Sequence, residues 1–278
     1  MNILYSGDSA MKDGLLISIL SLTDNVREPL HVYVLTATIS TKEKAFSPVP
    51  QSQVDFLDSL VKKSNPESSV KRIDVTSEFL AHPPTANIDT FFTPYCMLRL
   101  YADLVDLPDR LLYMDTDVVC RQDCTAFYHQ DMEGMEIAGV LDYYGKWFFK
   151  ENYLKWGLDY LNSGLLLLNM AEIKRTELFR KCRDLCSSKK LFMPDQSALN
   201  KLASAKKIVP ERFNEQHRLQ PDTVFQHFTT SFRFWPTVHT VTVKPWNVEK
   251  VHSELGLHEY DDLLNRYQSL LTEMDLAQ

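Results

Sequence analysis

Strands and helices alternate through the first half of this chain, which predicts an α/β fold: a mostly parallel, twisted sheet flanked by helices, with a small helical C-terminal extension. Three observations predict it. Apolar runs of strand length recur at residues 2–6, 30–36, 70–75 and 111–114, with helix-like stretches between them. Two of these runs end in carboxylates, Asp8 after the first and Asp115 and Asp117 after the last, and ligands of open α/β sheets gather beyond the carboxyl ends of strands. The chain has 278 residues, 44% hydrophobic and 24% charged, the size and balance of one large globular domain.

Taken in order, residues 2–6 form an apolar strand that closes on Gly7-Asp8. Residues 10–23 follow at helical spacing, with Leu16, Ile19 and Leu20 on one face. Residues 30–36 read as the second strand. Residues 40–63 read as mostly helical, with Pro48 and Pro50 interrupting the start, and residues 70–75 as the third strand. A helix over 95–105 carries Arg99, and Pro108-Asp109 turns the chain into the strand ahead of Asp115. Residues 136–141 form a strand ending at Asp142, followed by an aromatic loop that includes Trp147 and Phe148. A buried strand begins with Asn162-Ser163-Gly164 and continues through four leucines; Pro194-Asp195-Gln196 opens a helix. Residues 258–271 make an amphipathic helix.

The net charge of −7 argues against a nucleic-acid groove. The N-terminal residues have neither the basic region nor the apolar stretch of a signal peptide, and the longest apolar run, at 161–170, is far short of the roughly 20 residues that cross a bilayer. The expected location is therefore the cytoplasm, with membrane contact at most peripheral at the inner face. Five cysteines, among them Cys120/Cys124 and Cys182/Cys186, read as reduced and mostly buried thiols, because Cys-x3-Cys without a second half is a poor metal signal.

The sharpest motif is Tyr113-Met114-Asp115-Thr116-Asp117. Alternate residues of an extended chain share a face, so Asp115 and Asp117 can address one hard cation, and such cations bridge carboxylates to phosphates. Asp8 and Asp195 are also ordinary helix caps by chemistry alone, and Asn162 an ordinary backbone-bonding residue at a strand entry.

With these pieces in place the chain resembles glycosyltransferase family 8, the retaining group that includes bacterial lipopolysaccharide galactosyl- and glucosyltransferases and glycogenin. Six stretches carry the likeness in order: residues 3–8, Arg99-Leu100, residues 113–117, Asn162-Ser163-Gly164, Asp195-Gln196 and Lys244-Pro245-Trp246. The resemblance implies a GT-A type fold with a catalytic domain over residues 1–250 and a helical extension over 251–278. It implies that Asp8, with Gly7, meets the uracil of a UDP-sugar, Met11 standing where the family has a stacking aromatic. Arg99, Asp115, Thr116, Asn162 and Lys244 would contact the rest of the nucleotide sugar, Lys244 at the diphosphate. Asp195 and Gln196 would hold the donor sugar near its anomeric carbon; Asp142, outside these stretches, ends a strand beside the aromatic loop and is a candidate for a sugar hydroxyl or an ordinary turn residue. A Mn²⁺ (or Mg²⁺) would be held by Asp115, Asp117 and a histidine. The family's His-x-x-Gly-x-x-Lys-Pro-Trp is here one residue shorter and lacks its Gly; the distance of His239 to Lys244, close to the family's, favours His239, and His227, before Phe228-Thr229, is the contender.

The implied activity is transfer of glucose or galactose from a UDP-hexose to a hydroxyl of a glycan or glycolipid, with retention. The last residues lack a basic aromatic tail, which favours a soluble acceptor or a partner that makes the membrane contact. Two other classes fit the Asp-x-Asp strand: a haloacid-dehalogenase-type phosphatase with Asp115 as nucleophile, and a sugar-nucleotide-binding protein without activity. The phosphatase would place its motif near the N-terminus and a second acidic pair after another strand, whereas Asp261-Asp262 falls on the amphipathic helix.

Overall fold

The computed structural model describes residues 1–42, 44–89, 94–143, 145, 159–233 and 239–276. Its elements in chain order are β1 (Asn2–Ser6), α1 (Lys12–Asn25), β2 (His31–Thr36), β3 (Ile39–Ser40), β4 (Ala45–Phe46), α2 (Gln51–Ser64), β5 (Ser69–Asp74), α3 (Thr76–Ala81), β6 (Arg110–Met114), β7 (Val118–Cys120), α4 (Thr125–Tyr128) and β8 (Ile137–Leu141). There follow β9 (Leu161–Asn169), α5 (Met170–Thr176), α6 (Leu178–Ser188), α7 (Pro194–Leu202), β10 (Lys206–Ile208), β11 (Phe225–His227), β12 (Ser231–Arg233), β13 (His239–Val241), α8 (Val248–Ser253) and α9 (Asp261–Leu276).

Seven strands form the central sheet in the order β10-β8-β9-β6-β1-β2-β5. All neighbours are parallel except β9, which runs antiparallel to both β6 and β8. The sheet is thus mixed and mostly parallel, as predicted. The reversed β9 was invisible in the sequence because a strand covered on both faces reads as a continuous apolar run whichever way it points. Alternation within strands divides the core in two. Ile3, Tyr5, Leu112 and Met114 join α1, α2 and α9 on one face. Leu4, Leu111, Tyr113 and Leu166 join α6, α7 and the 94–104 segment on the other.

Two expected elements differ. Residues 40–63 are not one interrupted helix: β3 and β4 pair as a small hairpin, and α2 starts at Gln51, immediately after Pro50, whose extended backbone ends the approach. The segment bearing Arg99 winds as a 3-10 helix, Pro94–Leu104, in which eight of eleven residues are buried. Its burial between the sheet and α6, not local propensity, holds so long a run in the tighter winding. All five cysteines are free, four of them buried. No described helix is long and apolar enough to cross a membrane.

Helices α8 and α9 share the core of the main body: Val251, Leu264, Tyr267 and Met274 are buried in it. Polar contacts reinforce the seam, with the Tyr267 hydroxyl donating to Asp13 at 2.6 Å and Arg266 pairing with Asp24 at 2.7 Å.

Candidate active site

The site grows from the end of β6. That strand stops at Met114, and Asp115-Thr116-Asp117 make a tight turn closed by the Val118 amide donating to the Asp115 carbonyl at 3.1 Å. The two carboxylates therefore converge across a turn and not, as the extended spacing suggested, along a pleat. Thr116 backs the turn: its carbonyl and Cβ lie so close to Gly14 of α1 that a Cβ there would sit 2.7 Å and 2.9 Å from them, and 2.7 Å from the Trp246 ring. Sequence reasoning passed over Gly14, although a glycine inside a helix is itself a sign of close approach.

Two neighbouring strands deliver the partners. The pairing of β7 with β11 sets His227 opposite Val118, and the Phe228 amide donates to the Asp117 carbonyl at 2.9 Å. The His227 ring thereby comes to Asp117, with Nε2 3.2 Å from Oδ1. On the other side, β9 pairs with β6 so that the Asp115 amide donates to the Gly164 carbonyl at 2.7 Å. One ligand atom from each of Asp115, Asp117 and His227 lies within 4.8 Å of the others. His239, favoured by spacing, belongs to β13 opposite Arg233; its side chain is outside the described residues, and it is the contender His227 that the strands bring to the Asp pair. One-dimensional spacing could not see the β7–β11 ribbon.

Arg99 organises the opposite wall. Its guanidinium, 3% exposed, donates to Asp115 Oδ1 at 2.9 Å and to the Ser163 carbonyl, and lies 3.2 Å from Asp195 Oδ2. It also stacks on the Tyr113 ring at 3.8 Å. Burial works against its charge, but Asp115 and Asp195 more than offset that and keep it protonated. The buried Tyr113 phenol, pushed well above its ordinary pKa chiefly by burial, donates to Asp115 Oδ1 at 2.8 Å. An Arg99→Lys substitution removes the planar fork that reaches several acceptors at once. It is expected to lower stability by about 2–4 kcal/mol, read as a fall in Tm by calorimetry; an unchanged Tm would show that the network is ornamental.

Asp195 and Gln196 occupy the first turn of α7 behind Pro194, where a carboxylate suits the helix dipole. Gln196 is committed at both ends: Oε1 accepts from the Ser163 amide at 2.9 Å, and Nε2 donates to Asp142 Oδ2 at 3.1 Å. Asp142 also accepts from Asn162 at 3.0 Å and, through Oδ1, from the Gly145 amide at 2.6 Å. Lys244 donates to the Phe228 carbonyl at 3.0 Å and pairs with Asp117. Burial alone would raise the Asp117 pKa, yet the Lys244 charge, together with the hydrogen-bonding His227 ring, holds it well below the usual carboxylate range.

These groups line a cleft of about 800 Å³, with Asp142, Asn162, Asp195, Gln196, His227 and Lys244 on its wall. That volume is typical of small-molecule sites. Gly7, Asp8, Met11 and Thr116 do not line it. Asp8 stands at the same sheet edge, where its carboxylate accepts from the Ala10 amide at 3.1 Å and caps a short 3-10 turn. Met11 packs its sulfur on Gly7, where a Cβ would be 2.3 Å away. Trp147 and Phe148 lie outside the described residues.

A carboxylate pair, a histidine and a lysine thus meet at the end of one strand of a mostly parallel sheet, and the comparisons give the class of protein as a glycosyltransferase. The sequence profile named Glycosyl transferase family 8 matches residues 2–249, and the chain belongs to this family of glycosyltransferases. It is similar to a lipopolysaccharide 1,2-glucosyltransferase of Escherichia coli, 26% identical over 258 residues, covering 84% of this chain and 73% of that protein. Among solved structures it resembles the galactosyltransferase LgtC, crystallised with donor and acceptor sugar analogues, at a TM-score of 0.69, 17% identity and coverage of 97% of this chain and 96% of LgtC. It also matches the bifunctional glycosyltransferase WbbM, at a TM-score of 0.73 and 17% identity, over all of this chain and 51% of WbbM. Family membership sets aside the phosphatase alternative.

Proposed function

We propose that the protein is a retaining, metal-dependent hexosyltransferase that moves glucose or galactose from a UDP-sugar to a hydroxyl of a glycan or glycolipid. The observation that carries the metal dependence is His227: its Nδ1 is buried beside Asp115 and has no hydrogen-bond partner among the described residues. A buried nitrogen without a partner is costly unless something else satisfies it. Asp115, Asp117 and His227 would hold the cation, and two carboxylates with one imidazole suit Mn²⁺ better than Mg²⁺, which prefers oxygen alone. Once bound, such an ion supplies charge stabilisation to a departing diphosphate.

The chain's own residues do the rest. Lys244 is placed to exchange Asp117 for a phosphate oxygen and neutralise the leaving group. Arg99 fixes Asp115 and Asp195 so that neither carboxylate swings. Asp195, Gln196 and Asp142, locked to one another through Ser163 and Asn162, form a rigid polar floor for a sugar ring. Gln196, an amide with both ends engaged, is a poor nucleophile; this supports a front-face transfer in which the acceptor proton goes to the leaving phosphate.

The name of the Escherichia coli relative and the sugar analogues bound to LgtC support the donor and acceptor classes. Release of UDP from a panel of UDP-hexoses, with Mn²⁺ and with EDTA, is the direct test. One UDP-sugar is expected to turn over, at least slowly even without acceptor, and EDTA to abolish this. Mn²⁺-dependent UDP binding without turnover, with or without acceptor, would favour a sugar-nucleotide-binding protein without activity, and the absence of both binding and turnover would refute the reading.

A further inference from the structure

We propose that His252, His258 and Asp261 form a second cation site, apart from the cleft, that takes a transition-metal ion of the Zn²⁺ class and ties α8 to α9. The three side chains come from three adjoining pieces of chain. His252 lies in the last turn of α8, His258 in the connection after Gly256, and Asp261 is the first residue of α9. One ligand atom from each falls within 4.8 Å of the other two.

The arrangement has a definite direction. His252 Nε2 is 2.7 Å from Asp261 Oδ1, and His258 Nδ1 is 3.4 Å from Oδ2 of the same carboxylate. The rings lie face to face, with centroids 4.7 Å apart and planes 17° from parallel. Two imidazoles held in register against one carboxylate need little rearrangement to share an ion at roughly 2 Å, whereas two imidazolium rings so stacked would repel. The backbone makes the register. Gly256 adopts φ 65°, a left-handed turn that glycine accepts without strain. Its amide donates to the His252 carbonyl at 3.0 Å, and the Asp261 amide to the His258 carbonyl at 3.2 Å.

Chemistry separates this set from the one in the cleft. Two nitrogens and one oxygen favour Zn²⁺, Ni²⁺ or Cu²⁺, while the cleft's two carboxylates favour a harder ion. His252, His258 and Asp261 are 34%, 68% and 44% exposed, so water can complete a tetrahedral shell. Position gives the site a role. The chain enters α8 directly from Lys244, whose carbonyl accepts from the Asn247 amide at 2.9 Å, and α9 is the helix seated on α1. An ion here would fasten the segment that carries Lys244 to the main body.

The test is thermal unfolding and calorimetric titration of the full chain with Zn²⁺ alone, for wild type and a His252→Ala/His258→Ala double variant. Saturating Zn²⁺ is expected to raise the wild-type Tm by about 5 °C. The double variant should lose most of that rise and bind one fewer Zn²⁺ per chain, with its Mn²⁺-supported turnover unchanged. Asp261→Asn, which keeps the shape of the side chain, should weaken the same event. The same Zn²⁺ count in wild type and double variant would overturn the proposal, since any zinc bound would then sit elsewhere.

Discussion

Asp117→Asn is expected to cut turnover of the nucleotide sugar by about 10³-fold or more, with the secondary structure unchanged. The asparagine keeps the size of the side chain and leaves the Phe228 amide on its backbone carbonyl, so the turn between β6 and β7 survives. What goes is the charge. Lys244 keeps only the Phe228 carbonyl among the partners described, and His227 loses the anion beside its Nε2. Because the Asp117 pKa is depressed in the folded protein, its stabilisation is fully present above the unfolded value near 4 and is lost only as the pH falls toward the folded value. At neutral pH the variant therefore forfeits all of it, about 1–3 kcal/mol for one side of a buried pair replaced by a neutral hydrogen-bonding group. UDP release and circular dichroism on the same preparation decide the matter: turnover within tenfold of wild type would remove Asp117 from the metal set.

Gly164→Ala should be nearly as damaging, though it removes no functional group. A Cβ at Gly164 would sit 2.2 Å from His227 Cε1, 2.9 Å from His227 Nδ1 and 2.9 Å from Asp115 Oδ2. None of these can step aside easily. His227 is fixed by the β7–β11 ladder, and Asp115 is held by Arg99 and Tyr113. The expected result is a fall of about 100-fold in Mn²⁺ affinity and a stability loss of about 1–3 kcal/mol from overpacking. In a His227→Ala background the same substitution should cost less stability, because the two collisions with the imidazole have gone and only that with Asp115 Oδ2 remains. Wild-type Mn²⁺ affinity in Gly164→Ala would show that the glycine only packs.

Much of this architecture could be read from residue order alone, for identifiable reasons. The strands of the parallel half are short apolar runs ending in turn residues, and α9 shows its buried face at helical spacing, whereas α1, expected to bury one face, is buried on every side from Gly14 to Leu22. The Asp115/Asp117 pair, Arg99, Asp142, Asn162, Asp195, Gln196 and Lys244, singled out on motifs, are brought to one cleft. What stayed hidden depended on pairing. The direction of β9, the β3–β4 hairpin and the histidine beside Asp117 all follow from which strands meet, which linear spacing does not encode. The uracil-side group, Gly7, Asp8 and Met11, is a separate case: it stands at the sheet edge outside the cleft wall, and its expected contact with the base is a proposal to be tested by Asp8→Ala, which should weaken UDP binding more than Mn²⁺ binding.

The seam between α1 and α9 has a consequence for how the protein comes into being. Asp13 and Tyr267 are 254 residues apart, and Lys12 and Asp275 are 263 apart. A ribosome making roughly 5–20 residues per second exposes α1 many seconds before α9 exists. Through that interval the flank of the first helix that bears Lys12 and Asp13 lacks its partners. The native packing of α1 is therefore completed only after α9 has been made, however early the helix itself forms.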